Sequence, residues 1–184
     1  MKKQLLFCLF SLSFAGAVMG QKYFTRDGKV SFFSATPVEN IEAHNTKGTC
    51  VLDATSGNLE FAALIKAFQF EKALMQEHFN ENYLESDKYP KASLKGQVTN
   101  ISEVNFKKDG EYTAKIKGKL TMHGVTKDIN ANANITVKGG KISAESTMEV
   151  VPGDYNIDIP AVVREKIAKS IKVTVNLNLE ELKS

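Results

Sequence analysis

The chain has 184 residues, of which 24 are basic, 21 are acidic and 42% are hydrophobic. This length suits one domain of roughly 100–200 residues. The near balance of charge argues against a nucleic-acid-binding surface or a polybasic membrane-binding surface. Beyond the N-terminal segment, no stretch is apolar enough to suggest a membrane-spanning helix, so we do not expect an integral membrane protein.

Residues 1–20 have the pattern of a secretory signal peptide: two lysines, an apolar run from Leu5 to Phe14, and then small residues. The apolar run is too short to span a bilayer. We expect cleavage after Gly20, which leaves Gln21 as the first residue, with cleavage after Ala17 as the alternative. The pattern predicts a periplasmic or secreted protein, with one domain over residues 21–184.

Removal of this segment leaves 22 basic and 21 acidic residues, a net charge of +1. Cys8 lies inside the apolar run, where it is badly placed to become a lipidated first residue. The mature chain then keeps Cys50 alone, which cannot form an internal disulfide. Cys50 shares a strand face with Leu52 and Ala54, so we expect a buried apolar thiol.

Runs of alternating apolar and polar residues recur along the mature chain, with turn residues between them. Counting them gives about eight strands, enough to close an up-and-down antiparallel barrel without exposed edges. We predict hairpins at residues 55–58, at Asp109-Gly110 and at Gly139-Gly140. The runs are Val30 to Ala35, Gly48 to Ala54, Asn58 to Lys66, Ala92 to Phe106, Glu111 to Met122, Asp128 to Val137, Ile142 to Val150 and Ile171 to Leu179.

Two segments depart from this β pattern. Residues 68–83 are rich in helix formers, and Met75, Phe79 and Tyr83 at i, i+4 and i+8 would form one apolar stripe. Residues 160–170 are a second candidate helix, with Pro160 in its first turn. The sequence therefore predicts an all-β fold with minor α content, in which the 68–83 helix either covers a portal or plugs one barrel end.

The run from Glu111 to Val137 contains the most informative pattern, because its apolar side is partly made of small residues. Ala114, Gly118, Ala131 and Ala133 provide little volume where a filled core would need larger side chains. An internal cavity is easier to accommodate here. Met75, Met122 and Met148 have flexible side chains that can adapt to a variable apolar guest.

The segments Glu77 to Phe79, Tyr83 to Ala92 and Leu120 to Lys127 resemble the YceI-like family of exported bacterial proteins. The last of these reads Leu-Thr-Met-His-Gly-Val-Thr-Lys. The resemblance implies an extended, lipocalin-like antiparallel barrel whose apolar interior holds a long isoprenoid or other lipid chain. It covers nearly the whole mature chain.

The apolar faces of the predicted strands and helix allow two interpretations. They would form an ordinary core in a filled barrel, or they would line a pocket in a barrel that holds a ligand. We favour the pocket. The candidate lining residues are Phe61, Ile65, Met75, Phe79, Ala114, Ile116, Leu120, Met122, Ile129, Ala131, Ala133 and Met148. A polar ligand end would lie at the pore mouth, where Lys88, Tyr89, His123 or Lys127 could meet it.

The three histidines do not form a convincing catalytic or metal site. His123 precedes Gly124 at a strand end, which is typical of a turn residue. His78 lies near Glu77 and Glu81, but no second histidine is close in sequence, so a solvated helix face is the better interpretation. No motif for nucleophilic, metal-hydrolytic or nucleotide chemistry is present.

We therefore predict a carrier of a long apolar ligand such as an isoprenoid, quinone or acyl lipid, with no catalytic residue, no cofactor and no nucleic-acid partner. Two alternatives remain. A filled barrel could serve as a structural or protein-interaction module, and a less favoured alternative is a lipid-modifying enzyme that uses His123 or His78 as a base. The sequence leaves the oligomeric state open.

Overall fold

The structure, a computed structural model, describes residues 21–182. The expected signal peptide, its cleavage position and Cys8 lie outside the described residues. Nine strands form one antiparallel sheet. They are β1 Lys22–Ala35, β2 Asn40–Asp53, β3 Asn58–Leu64, β4 Gln69–Phe70, β5 Lys91–Val98, β6 Gly110–Met122, β7 Val125–Lys138, β8 Lys141–Val150 and β9 Ile171–Glu181.

The sheet closes into a barrel of eight strands. Its order is β1-β9-β8-β7-β6-β5-β3-β2, and β1 also pairs with β2, which joins the two ends of the sheet. The two-residue strand β4 pairs with Ala43 and His44 of β2 and is not part of the ring. Closure leaves no long unpaired edge among the eight strands. The predicted all-β, lipocalin-like barrel with about eight strands is confirmed.

The hairpin of β6 and β7 shows how the sequence period becomes barrel geometry. The two strands pair without a register shift from Met122 opposite Val125 to Gly110 opposite Val137. His123 and Gly124 form the two-residue turn, with φ of 50° and 74°. Positive φ at both positions is what a tight hairpin with the natural strand twist requires. A fixed register sends the alternate apolar side chains of both strands into the barrel.

Two of the other three predicted hairpins are confirmed, and one is wrong. Residues 54–57 connect β2 to β3, and Gly139-Gly140 connects β7 to β8. Strands β5 and β6 pair with each other, but residues 99–109 connect them, so Asp109-Gly110 is not a tight hairpin turn. The preceding residues form a single 3₁₀ turn at Ile101–Glu103 and then an irregular connection into β6.

This connection closes one end of the barrel. Val104 and Phe106 are both only 8% exposed and belong to the buried cluster that fills this end. The ring centroids of Phe106 and Tyr23 lie 5.1 Å apart. The alternating apolar side chains of this segment are buried inside the barrel end rather than in the sheet. Their period-two pattern therefore gives no strand.

Residues 65–90 and 151–170 lie at the opposite end. The α-helix α1 covers Ala73–His78 and continues as a π-helical turn over Phe79–Tyr83, so the helix predicted within 68–83 occupies only its second part.

The helix predicted over residues 160–170 is wrong: a single 3₁₀ turn at Ala161–Val163 is followed by turns and bends. The segment is too short to be a stable helix without tertiary support, and its β-branched residues disfavour one further. Instead, its Ala168 N–H donates to Ser34 Oγ at 2.9 Å, which fixes the segment to the end of β1.

One pair of glycines lets two strands of the barrel wall approach each other closely. Gly96 of β5 and Gly118 of β6 lie opposite each other. A Cβ on Gly96 would lie 2.8 Å from the Lys117 carbonyl oxygen, and a Cβ on Gly118 would lie 2.7 Å from that of Lys95. Only glycine permits this approach of the two backbones. Gly118, which the sequence marks as a small inward residue, is therefore required by the close packing of β5 against β6.

Candidate ligand-binding cavity

The barrel encloses a cavity of about 550 Å³. Each of the eight barrel strands contributes to its lining, which is almost entirely apolar. The plug formed by residues 101–106 closes it at one end, and α1 with residues 152–170 surrounds it at the other. A volume of several hundred Å³ is typical of small-molecule pockets and exceeds the voids of an ordinary packed core.

All twelve apolar residues predicted to line a pocket do lie on this cavity. They are Phe61, Ile65, Met75, Phe79, Ala114, Ile116, Leu120, Met122, Ile129, Ala131, Ala133 and Met148. Their contact with a ligand stays a prediction. Ala114 and Ala133 pair across β6 and β7 and are 0% and 7% exposed, so they form a closely packed part of the wall. Ala131 is partly exposed to open space although it points into the barrel.

The lining also contains residues that the sequence reasoning did not select. Strand β9 contributes Val173, Val175 and Leu177, and β1 contributes Phe32. The alternation along β9 was visible in the sequence and could have identified its three residues. No local signal indicates that Phe32 belongs to the same surface as the α1 region, because the two segments are distant in sequence.

Four phenylalanine rings cluster beside the cavity near its mouth. Phe32 and Phe79 stack with centroids 5.4 Å apart, and both rings also lie within 5.6 Å of Phe68 and Phe70. Pairs at these separations are favourable by about 0.5–1.5 kcal/mol beyond their area burial. The cluster attaches the helical segment to the β1–β2 wall, and the Met75, Phe79 and Tyr83 side chains of that segment reach the lining.

Cys50 is buried as the sequence predicted, and it lies on the cavity lining. Burial raises the pKa of its thiol to about 12, because the thiolate would lose its hydration. The protonated thiol therefore acts as a small apolar side chain in the wall.

His123 connects three segments at the mouth end of the barrel. Its Nδ1 lies 3.0 Å from the Tyr155 carbonyl oxygen, and its Nε2 lies 2.8 Å from Glu85 Oε2. Its side chain is only 11% exposed. Tyr89 packs edge-on against the imidazole, with centroids 4.8 Å apart. The ring thus joins the β6–β7 turn to the loop at 84–90 and to the segment after β8. These contacts fit a structural role for His123 in the turn.

The other three residues proposed for the pore mouth also lie off the cavity lining. Lys88 stands over the Tyr89 ring, 4.9 Å from its centroid. Hydrogen bonding to Tyr89 and the charge of Glu85 raise the pKa of Lys88. Lys127 is exposed and lies opposite Leu120 in the hairpin register. A head-group role for these residues and His123 stays a prediction that no contact with the cavity supports.

Within residues 21–182, no group of three or more His, Cys, Asp or Glu side chains is placed to hold a metal ion. His44 is exposed and lies 3.4 Å from Glu42. His78 lies on α1 at the rim of the cavity. None of the helices in this part of the chain is long and apolar enough to cross a bilayer.

The fold is similar to several solved structures. A polyisoprenoid binding domain from Saccharophagus degradans, implicated in plant cell wall breakdown, matches with a TM-score of 0.77 and 13% identity over 89% of this chain and 99% of that one. BcnA from Burkholderia cenocepacia matches with a TM-score of 0.68 and 12% identity over 83% of this chain and 96% of its own. At these identities, the likeness shows the fold alone.

A YceI protein from Campylobacter jejuni matches with a TM-score of 0.57 and 18% identity, over 82% of this chain and 90% of that one. No curated protein matches the chain significantly. The family model described as a YceI-like domain matches residues 12–179, which is most of the sequence. The resemblance in the segments around Tyr83 and His123 is thereby confirmed, and the chain belongs to the YceI-like family.

Proposed function

We propose that this protein is an exported carrier that holds one long apolar ligand, such as an isoprenoid, a quinone or another lipid, inside the barrel. The observation behind the proposal is the apolar cavity of about 550 Å³, which all eight barrel strands line. The similar barrel from Saccharophagus degradans is described as a polyisoprenoid binding domain, which supports the same ligand class here.

Binding to such a cavity depends mainly on removing the ligand's apolar surface from water, at about 25 cal/mol per Å². The ordering of a flexible chain opposes this gain. A preformed barrel reduces the conformational free-energy cost of binding on the protein side, because the protein does not need to fold around its ligand. No chemical step is required, so the proposal assigns no catalytic residue to His123 or His78.

The cavity also favours a carrier over a filled-barrel interaction module. A structural barrel would fill its interior to the density of a protein core, at a packing fraction of about 0.74–0.76. Here Ile116, Leu120, Met122 and Ile129 point inward yet are only partly buried, because they face open space. This pattern favours a guest in the interior.

Organic extraction of protein purified from its native host, followed by mass spectrometry, tests the proposal. We expect about one apolar molecule per chain, and the same molecule should rebind unchanged to delipidated protein. Native mass spectrometry of the same sample would give the mass of the complex and the oligomeric state. Protein that carries no stoichiometric lipid and takes up none after delipidation would favour the filled-barrel alternative, whereas chemical conversion of the bound lipid would favour an enzyme.

A further inference from the structure

The charged side chains of the cavity lining are concentrated at its mouth. Five lining residues carry a charge or an imidazole, namely Glu39, Lys72, His78, Glu145 and Lys166. Glu145 alternates along β8 with the inward Ala144 and Ser146, and its own side chain faces the outer surface. The other four lie on the β1–β2 connection (Glu39), just before α1 and at its end (Lys72 and His78), and on residues 160–170 (Lys166), which together form the mouth.

Two contacts bring Glu39, Lys72 and Lys166 to one rim. Lys72 Nζ lies 3.1 Å from Glu39 Oε1, which joins the start of the helical segment to the start of β2. The hydrogen bond from Ala168 N–H to Ser34 Oγ holds the segment containing Lys166 against the end of β1. Ser34 itself lines the cavity. The rim is therefore a defined part of the fold.

The charge of this rim is net positive. Lys72 and Glu39 offset each other, and Lys166 forms no ion pair with any residue between 21 and 182. Glu39 is the more shielded partner of its pair, with 23% of its side chain exposed against 62% for Lys72. An incoming anion therefore meets the two lysine side chains more readily than the carboxylate.

An amphiphile bound in the barrel must leave its polar end at this mouth, because burying an uncompensated polar or charged group deep in the apolar cavity is costly. At the rim, an anionic oxygen can accept charge-assisted hydrogen bonds from the Lys166 ammonium group. An uncharged head group gains less binding free energy at the rim, and a cationic head group is repelled.

We propose that the rim formed by Lys72, Lys166 and Glu39 selects amphiphiles with an anionic oxyacid head group, a carboxylate or a phosphate, over uncharged amphiphiles of the same chain length. This inference rests on the proposed carrier function and specifies its ligand class. It assigns the head group to the β1–β2 side of the mouth, away from the hydrogen-bonded group around His123.

Displacement of the uncharged fluorophore N-phenyl-1-naphthylamine from delipidated protein tests the selection, with dodecanoate, dodecyl phosphate and 1-dodecanol as competitors. We expect Lys166→Gln to weaken binding of both anions by about two- to fivefold, the upper part of the range for an exposed charge contact, and to leave dodecanol unchanged. Glu39→Gln should act in the opposite direction and tighten the anions. Added salt should reduce both effects.

Lys169→Gln is the matched control, because Lys169 lies on the same segment, is exposed and is absent from the lining. Lys166→Arg should keep the preference for anions. If Lys166→Gln and Lys169→Gln have equal effects, or if dodecanol loses as much affinity as dodecanoate, the rim does not select the head group. If neither the fluorophore nor any amphiphile binds to any variant, the carrier function itself is wrong, and the rim has no ligand to select.

Discussion

Ala131→Phe is the substitution that most directly tests whether the interior is a ligand pocket. Ala131 lies on β7 opposite Ile116, points into the cavity and is only partly buried. A phenylalanine ring there would occupy space that the ligand is expected to fill. Asn132→Phe is the matched control, because Asn132 is the next residue on the same strand and is exposed on the outer face.

The expected loss of affinity follows from the surface that the ring takes from the ligand. If the ring displaces the guest over about 100 Å² of apolar contact, at about 25 cal/mol per Å², binding weakens by about 2.5 kcal/mol, or roughly 70-fold in Kd. Since the ring enters open space, the free energy of unfolding of the ligand-free protein should change by less than about 1 kcal/mol. Overpacking a filled core typically costs about 1–3 kcal/mol.

The assay combines fluorophore titration of delipidated protein with chemical denaturation of the same samples. The chain has no tryptophan, so the fluorescence of N-phenyl-1-naphthylamine is free of tryptophan emission. We expect Ala131→Phe to lose affinity and keep its stability, and Asn132→Phe to keep its affinity. If Ala131→Phe bound the fluorophore as tightly as the parent protein, or lost stability as a filled core does, this face would not line a ligand pocket.

Three further predictions concern the turn, the thiol and the leader. His123→Asn should keep the positive φ of the turn but lose the hydrogen bonds to Tyr155 and Glu85. We expect denaturant titration to show a loss of about 1.5–3 kcal/mol in unfolding free energy, with fluorophore affinity within twofold of the parent protein. A stable variant that had lost its ligand would contradict a structural role. The raised pKa of Cys50, about 12 instead of 9.0, predicts that alkylation at pH 8 is at least about a hundredfold slower in the folded protein than in urea, and that the rate rises with pH. Val51→Cys on the outer face, in a Cys50→Ser background, should react at a similar rate in both states. Mass analysis of protein from the native host should find an N-terminus at Gln21, or at Val18 under the alternative cut, and intact Met1 in a cytosolic fraction would overturn export.

The sequence by itself determines the barrel wall. Alternation in β6 and β7 fixes which side chains face inward, because neighbouring residues of a strand always point to opposite faces. His123-Gly124 and Gly139-Gly140 indicate hairpins for an equally local reason, since they favour the positive φ that tight turns require. From such local rules, together with the helical spacing of Met75 and Phe79, twelve of the apolar residues on the lining could be identified before any contact was known.

The ends of the barrel, by contrast, are decided by tertiary structure. The segment containing Val104 and Phe106 alternates like a strand, yet its side chains find their burial inside the barrel end rather than in the sheet. Residues 160–170 resemble a short helix, but a hydrogen bond between Ala168 and Ser34, 134 residues apart, helps to determine their path. Local propensity is weak in such short segments, and long-range packing overrides it.

The position of the mouth could not be read from the sequence for the same reason. The sequence predicts Lys88, Tyr89, His123 and Lys127 at the pore mouth, but the structure places none of them on the cavity lining. The residues that do reach the lining at the rim come from segments that are far apart in the chain and carry no shared motif. Periodicity specifies which face of a strand points inward, whereas only the closed barrel brings the ends of distant segments together around one opening.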